Sequence, residues 1–131
     1  MRPAGIDHVV LRVRSLDQMV AFYTNVLGCS VERRQNAVGL VQLRAGAQLI
    51  DLIDVEGQLG RAGGAGPGPE GRNMDHLCLL IADFDVDRIS GELRLAGIEP
   101  GAAANRFGAG GEAVSHHLTD PEGNGLELRA S

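Results

Sequence analysis

Apolar residues along this chain gather in two short runs of one design, Ile6–Val13 and Met74–Ile81, each containing an Asp-His pair, Asp7-His8 and Asp75-His76. Rich in Val, Ile and Leu and too short for helices, both predict buried strands. In an extended chain His8, Val10 and Arg12 share one face. After the first run, Ser15 and Gln18 outline a capping box, and Met19, Val20, Phe22, Tyr23, Val26 and Leu27 recur at helical spacing before Gly28. This spacing predicts a helix over 16–27. Extended segments follow near 30–35, 38–44 and 47–53, broken by Asn36 and by Ala45-Gly46.

The second run repeats the plan. Asp83 or Asp85 is a helix cap, Val86, Ile89, Leu93 and Ala96 form one stripe, and Gly97 is the stop. Residues 98–106 read as weakly extended, 108–111 as a Gly-rich turn, and 113–119 as a strand. Asp120-Pro121-Glu122-Gly123-Asn124 is a turn signature, and 125–129 closes the chain as a strand. The sequence is therefore an internal repeat of two β-α-β-β-β halves. Its expected organisation is one domain with module one at 5–54, a linker at 55–73 and module two at 74–131. The linker carries Gly at 57, 60, 63, 64, 66, 68 and 71 and Pro at 67 and 69, with no apolar period, and reads as a connector or mobile lid. At roughly 3.3 Å per extended residue it has the reach to let module two pack on its own first half or on another subunit's.

Composition narrows the partners. Net charge is −5 and aromatics make up 3% of the chain, with no Trp and one Tyr, so neither a basic patch nor a stacking platform for nucleic acid is available. A small-molecule partner is expected, with no nucleic acid and no membrane. Cys29 and Cys78 are too far apart in sequence for a zinc knuckle or redox pair and read as reduced thiols. No stretch approaches the roughly 20 apolar residues of a membrane span, so a cytoplasmic protein is expected.

Candidate chemistry sits at matched places in the two halves. His8 and His76 stand on the opening strands, while Asp51 in Ile50-Asp51-Leu52 and Glu127 in Leu126-Glu127-Leu128 stand on the closing ones. A carboxylate between apolar residues is costly to bury unpaired and must find water, a cation or a metal. A lone His is more often structural than a ligand, but two imidazoles and two carboxylates at equivalent positions suit Zn, Ni, Mn or Fe(II) with positions left open for substrate. Asp54 is the alternative acid to Asp51.

Asp7-His8-Val9-Val10-Leu11-Arg12-Val13, the helix Ser15-Leu16-Asp17 to Val26-Leu27-Gly28, and Asp120-Pro121-Glu122-Gly123-Asn124-Gly125-Leu126-Glu127-Leu128 together resemble the vicinal oxygen chelate superfamily, which includes glyoxalase I, fosfomycin-resistance enzymes, extradiol dioxygenases and bleomycin-binding proteins. The resemblance implies an α+β fold of two βαβββ modules whose mixed sheets form a curved cup, commonly in a homodimer. It implies a divalent metal held by His8, Asp51, His76 and Glu127, or by His8, His76 and Glu127 alone in three-ligand members. Asp51 departs from the usual Glu or Gln. Arg12 and Arg72 match positions that grip glutathione carboxylates in glyoxalase I-like members, whereas Val55 replaces an Asn of that signature. His116 and His117 lie on the penultimate strand, where alternation turns one of them inward, and His117 is the candidate for substrate contact or proton transfer. Cys78 shares a face with His76.

The expected activity is that of a glyoxalase-type lyase or isomerase acting on a substrate with two neighbouring oxygens, such as a glutathione hemithioacetal. The metal serves as Lewis acid, and Glu127, with Asp51 as alternate, moves the proton. An Fe(II) extradiol-type dioxygenase and a metal-free drug-binding protein are the alternatives. The scarcity of aromatic residues argues against the last.

Overall fold

Eight strands and three helices follow one another in the order that the repeat predicts, except that α2 falls in the segment expected to be a linker: β1 (His8–Val13), α1 (Leu16–Asn25), β2 (Ser30–Gln35), β3 (Leu40–Ala45), β4 (Gln48–Asp54), α2 (Gln58–Arg61), β5 (His76–Ile81), α3 (Val86–Leu95), β6 (Ala104–Gly108), β7 (Gly111–Thr119) and β8 (Gly125–Ala130). These elements belong to a computed structural model that describes all of residues 1–131. The chain divides into two compact units, 1–73 and 74–131.

In the first unit the sheet order is β1-β4-β3-β2, with β1 parallel to β4 and the other pairs antiparallel. Strand alternation gives each face its own character. Leu11, Val13, Val41, Leu43, Ile50 and Leu52 point to one side and are buried, and α1 packs over β3 and β4 with Met19, Val20, Phe22 and Tyr23 inward. Phe22 and Tyr23 meet edge to face with ring centres 5.4 Å apart. The α1 apolar stripe is thus the lid of a core, and the opposite sheet face is left to His8, Val10, Arg12, Asp51 and Gln42.

Two local expectations change. Helix α1 stops at Asn25 rather than Leu27, and Ser15 makes no side-chain cap hydrogen bond. Its ψ of 89° falls short of the fully extended backbone that lays a cap hydroxyl over the first turn. Asp85, by contrast, caps α3 by accepting from the Arg88 backbone N–H at 2.8 Å.

The second unit repeats the topology as β5-β8-β7-β6, with β5 parallel to β8. Ile89, Ser90 and Leu93 of α3 and Leu118, Leu126 and Leu128 of the sheet are buried. The turn into β8 is held by Asp120, which is 4% exposed. Its Oδ1 accepts from the backbone N–H groups of Glu122 and Asn124, and its Oδ2 accepts from the Asn124 side chain. Gly125 then lies directly beside His76 in the parallel pairing. A Cβ there would collide with the Asp75 carbonyl and the His76 side chain, so only Gly lets β8 run this close to β5.

Segment 55–73 contains more structure than its composition predicts. Glu56 N–H caps back onto Asp54 Oδ1, α2 adds one helical turn, and Gly68 and Gly71 form a two-residue bridge. The Asn73 side chain then acts as a rung on the outer edge of β1, accepting from Arg12 N–H at 3.1 Å and donating to the Arg12 carbonyl at 2.9 Å.

Asp120→Ala strips several buried donors of a charged acceptor and is expected to cost about 2 kcal/mol. It should lower the urea midpoint of the second unit, and an unchanged midpoint would contradict the role given to this turn.

Candidate functional site

On the sheet face turned away from α1, the register of the first unit aligns three side chains across neighbouring strands: Val10 on β1, Asp51 on β4 and Gln42 on β3. Asp51 is 6% exposed. Its Oδ2 accepts from Gln42 Nε2 at 3.0 Å, while its buried Oδ1 has no partner. His8 stands one pleat before Val10. Its Nδ1 lies 2.7 Å from Asp7 Oδ1. Because a carboxylate can only accept, Nδ1 carries a proton, and in the neutral ring the lone pair is on Nε2. The Asp7 hydrogen bond raises the His8 pKa, burial works against it, and the Asp51 charge adds to the rise.

The second unit builds the same row from Cys78 on β5, Glu127 on β8 and His117 on β7. His76 repeats His8: Nδ1 meets Asp75 Oδ2 at 2.7 Å, and Nε2 comes within 3.5 Å of Glu127 Oε2. His117 Nε2 lies 3.9 Å from the same oxygen, and the two imidazoles meet edge to face with centres 5.4 Å apart. Glu127 is 7% exposed, and its Oε1 has no hydrogen-bond partner of good geometry. Burial pushes its carboxyl up, but the Ser115 hydroxyl, the His117 and His76 rings and the Cys78 thiol together pull it below the usual range. Cys78 is moved the other way, by burial and then by the Glu127 charge, and stays a protonated thiol.

Of the adjacent histidines, His117 faces this cluster and His116 the core. His116 donates from Nδ1 to the Gly101 carbonyl at 2.7 Å, accepts the Ser90 hydroxyl on Nε2 at 3.1 Å, and stacks on Phe84. It is a fully partnered interior residue. Asp54 is occupied as the acceptor of a turn N–H. Arg12 donates from one terminal nitrogen to the carbonyls of Gly60 (3.2 Å) and Gly64 (2.6 Å), and its buried Nε has no partner. It grips the segment after β4, so an anionic ligand must compete with two carbonyls for it. Arg72 is exposed. Gln42 went unnoticed in the sequence. The signal for it is a lone amide in the apolar run Leu40-Val41-Gln42-Leu43, at the place where the other half carries His117.

The model of the Glyoxalase/Bleomycin resistance protein/Dioxygenase superfamily matches residues 5–128 of this chain. The chain belongs to that superfamily. Virulence protein STM3117 of Salmonella typhimurium is 34% identical over 126 residues, covering 94% of this chain and 81% of that protein. Its crystal structure matches with a TM-score of 0.83 at 28% identity, covering 99% of this chain and 98% of that one. Lactoylglutathione lyase from Agrobacterium tumefaciens shares the fold at a TM-score of 0.72 and 23% identity, over 100% of this chain and 96% of the other. So does the fosfomycin resistance protein FosX from Listeria monocytogenes, solved with Mn(II) and sulfate, at a TM-score of 0.72 and 18% identity over 99% and 92% of the two chains.

Two observations bear on whether the residues of this superfamily member suit a divalent cation. Each unit offers a His whose Nδ1 is tied to a carboxylate, which leaves Nε2 as its ligating nitrogen, the usual arrangement of a metal-binding imidazole; in the second unit that Nε2 lies 3.5 Å from Glu127 Oε2. Each also offers a buried carboxylate with one unpartnered oxygen. The donor chemistry therefore fits. No group of three or more His, Cys, Asp or Glu side chains is arranged to hold a metal ion in this structure.

Arg12→Met removes both bonds to the Gly60 and Gly64 carbonyls and should accelerate tryptic cleavage at Arg61 roughly tenfold, the change expected for about 1.4 kcal/mol of lost local stability. Mass spectrometry of the fragments reads this directly. An unchanged cleavage rate would show that the guanidinium does not hold the segment.

Proposed function

We propose that this chain is a metal-dependent glyoxalase-type lyase or isomerase, active as a cytoplasmic homodimer on a small substrate with two neighbouring oxygens, a glutathione hemithioacetal being the model case. The observation that supports this most is the repeated pairing of an Asp-oriented histidine with a buried, half-satisfied carboxylate. His8, Asp51, His76 and Glu127 are the proposed ligands. Zn, Ni, Mn and Fe(II) all suit two imidazoles and two carboxylates. A bound divalent ion supplies Lewis-acid polarisation of the two substrate oxygens.

The residues divide the remaining work. Glu127 is the proton carrier: its carboxyl is held below the ordinary range and its Oε2 sits beside two imidazoles, so it is ionised and ready to accept a proton from the carbon next to a carbonyl. The same oxygen returns the proton to the neighbouring carbon. Asp51 is the alternate. His117, 3.9 Å from that oxygen, contacts substrate or steadies the charge on Glu127. Arg72, exposed and uncommitted to the sheet, is the first candidate for an anionic tail, and Arg12 joins it once released from Gly60 and Gly64. The unpaired Cys29 and Cys78 suit a reducing compartment.

Metal analysis of the purified protein and turnover of methylglyoxal–glutathione hemithioacetal with Ni or Zn test the reading. Bound metal and turnover are expected, together with a kcat loss on the order of a hundredfold or more in Glu127→Gln. Catechol cleavage with anaerobically loaded Fe(II) would point instead to dioxygenase chemistry. Absence of both metal and turnover would leave only a binding protein.

A further inference from the structure

Gln42 is the polar side chain at the site that this reading leaves without a task. It lies half-buried on β3 among Leu40, Val41 and Leu43, where an amide is retained at a cost unless its hydrogen bonds are used. Its one side-chain bond is to Asp51, Nε2 to Oδ2 at 3.0 Å. That bond fixes the rotation of the Asp51 carboxylate, because turning the group about its Cβ–Cγ bond would break it. The other oxygen, Oδ1, is buried and unpartnered, so Gln42 gives the orphan oxygen a single direction.

The second unit lacks this device. At the position equivalent to Gln42 stands His117, and its Nε2 is 3.9 Å from Glu127 Oε2, beyond hydrogen-bond reach. Glu also has one more rotatable bond than Asp. The Ser115 hydroxyl and the Cys78 thiol lie beside Glu127, but its Oε1 is left without a hydrogen bond and no amide holds its Oε2 as Gln42 holds Asp51 Oδ2, so the two carboxylates are held by different groups.

We propose that Gln42 is a positioning residue for a divalent cation: it locks Asp51 so that Oδ1 is a permanent ligand, leaving Glu127 as the carboxylate that can move. This rests on the metal-dependent reading above.

The test is the affinity of the full-length, metal-stripped protein for Ni(II), measured by competition with a chromogenic chelator. Gln42→Ala and the nearly isosteric Gln42→Leu should each bind Ni(II) about 10- to 100-fold more weakly than wild type. Gln42→His, whose ring N–H can again donate to Oδ2, should recover most of the loss. Thermal melting without metal identifies any variant that fails to fold, and Gln42→Leu, which keeps the apolar packing of β3, is the variant expected to pass. Equal affinity in wild type and a folded Gln42→Leu overturns the proposal, as does a loss that Gln42→His does not restore. A wild-type protein that binds no Ni(II) instead overturns the metal-dependent reading itself, so the two failures are distinguishable.

Discussion

A carboxylate placed in the middle of an apolar strand is an electrostatic debt that the surrounding residues must meet. Asp51 and Glu127 are both in that position, each between two leucine or isoleucine side chains that belong to a core. Strand alternation keeps each carboxylate on the face that the helix leaves uncovered. Parallel pairing of the first and last strands of each unit then brings a histidine to the same face, one pleat away. The helices, the β-α-β-β-β order and the Gly125 contact with His76 all serve that meeting of imidazole and carboxylate.

The repeat copies geometry more faithfully than chemistry. Histidine tethering is the same in both units, with Asp7 and Asp75 at equal distances from the rings. The cross-strand neighbour is not: an amide binds Asp51 tightly, while an imidazole and a thiol surround Glu127 more loosely. One half is built to be still. The other gathers two imidazoles, a thiol and a hydroxyl around its carboxylate.

Much of this was readable from residue order. The strands, the two helices and the equivalence of His8 with His76 and of Asp51 with Glu127 follow from periodicity and from turn residues such as Gly28, Gly97 and the Asp120 loop. What escaped depends on register, which single-chain patterns do not carry. Gln42 matters because β3 pairs with β4 so that it falls opposite Asp51 rather than Leu52. The outcome for His116 and His117 required knowing which face β7 gives to α3. Arg12 read as a candidate substrate clamp by resemblance, on the same face as His8. Its two carbonyl partners come from a Gly-rich segment whose path sequence alone does not specify.

That segment is tied down at both ends to adjacent residues of one strand. Val55 N–H bonds the Val13 carbonyl, and the Asn73 side chain clasps the backbone of Arg12. The chain between them is thus a closed loop whose exit sits beside its entrance. Residues could be inserted or removed within it without moving the point at which the polypeptide leaves the first unit, which gives evolution a region where length, and with it reach toward a ligand, can vary while the sheet stays as it is.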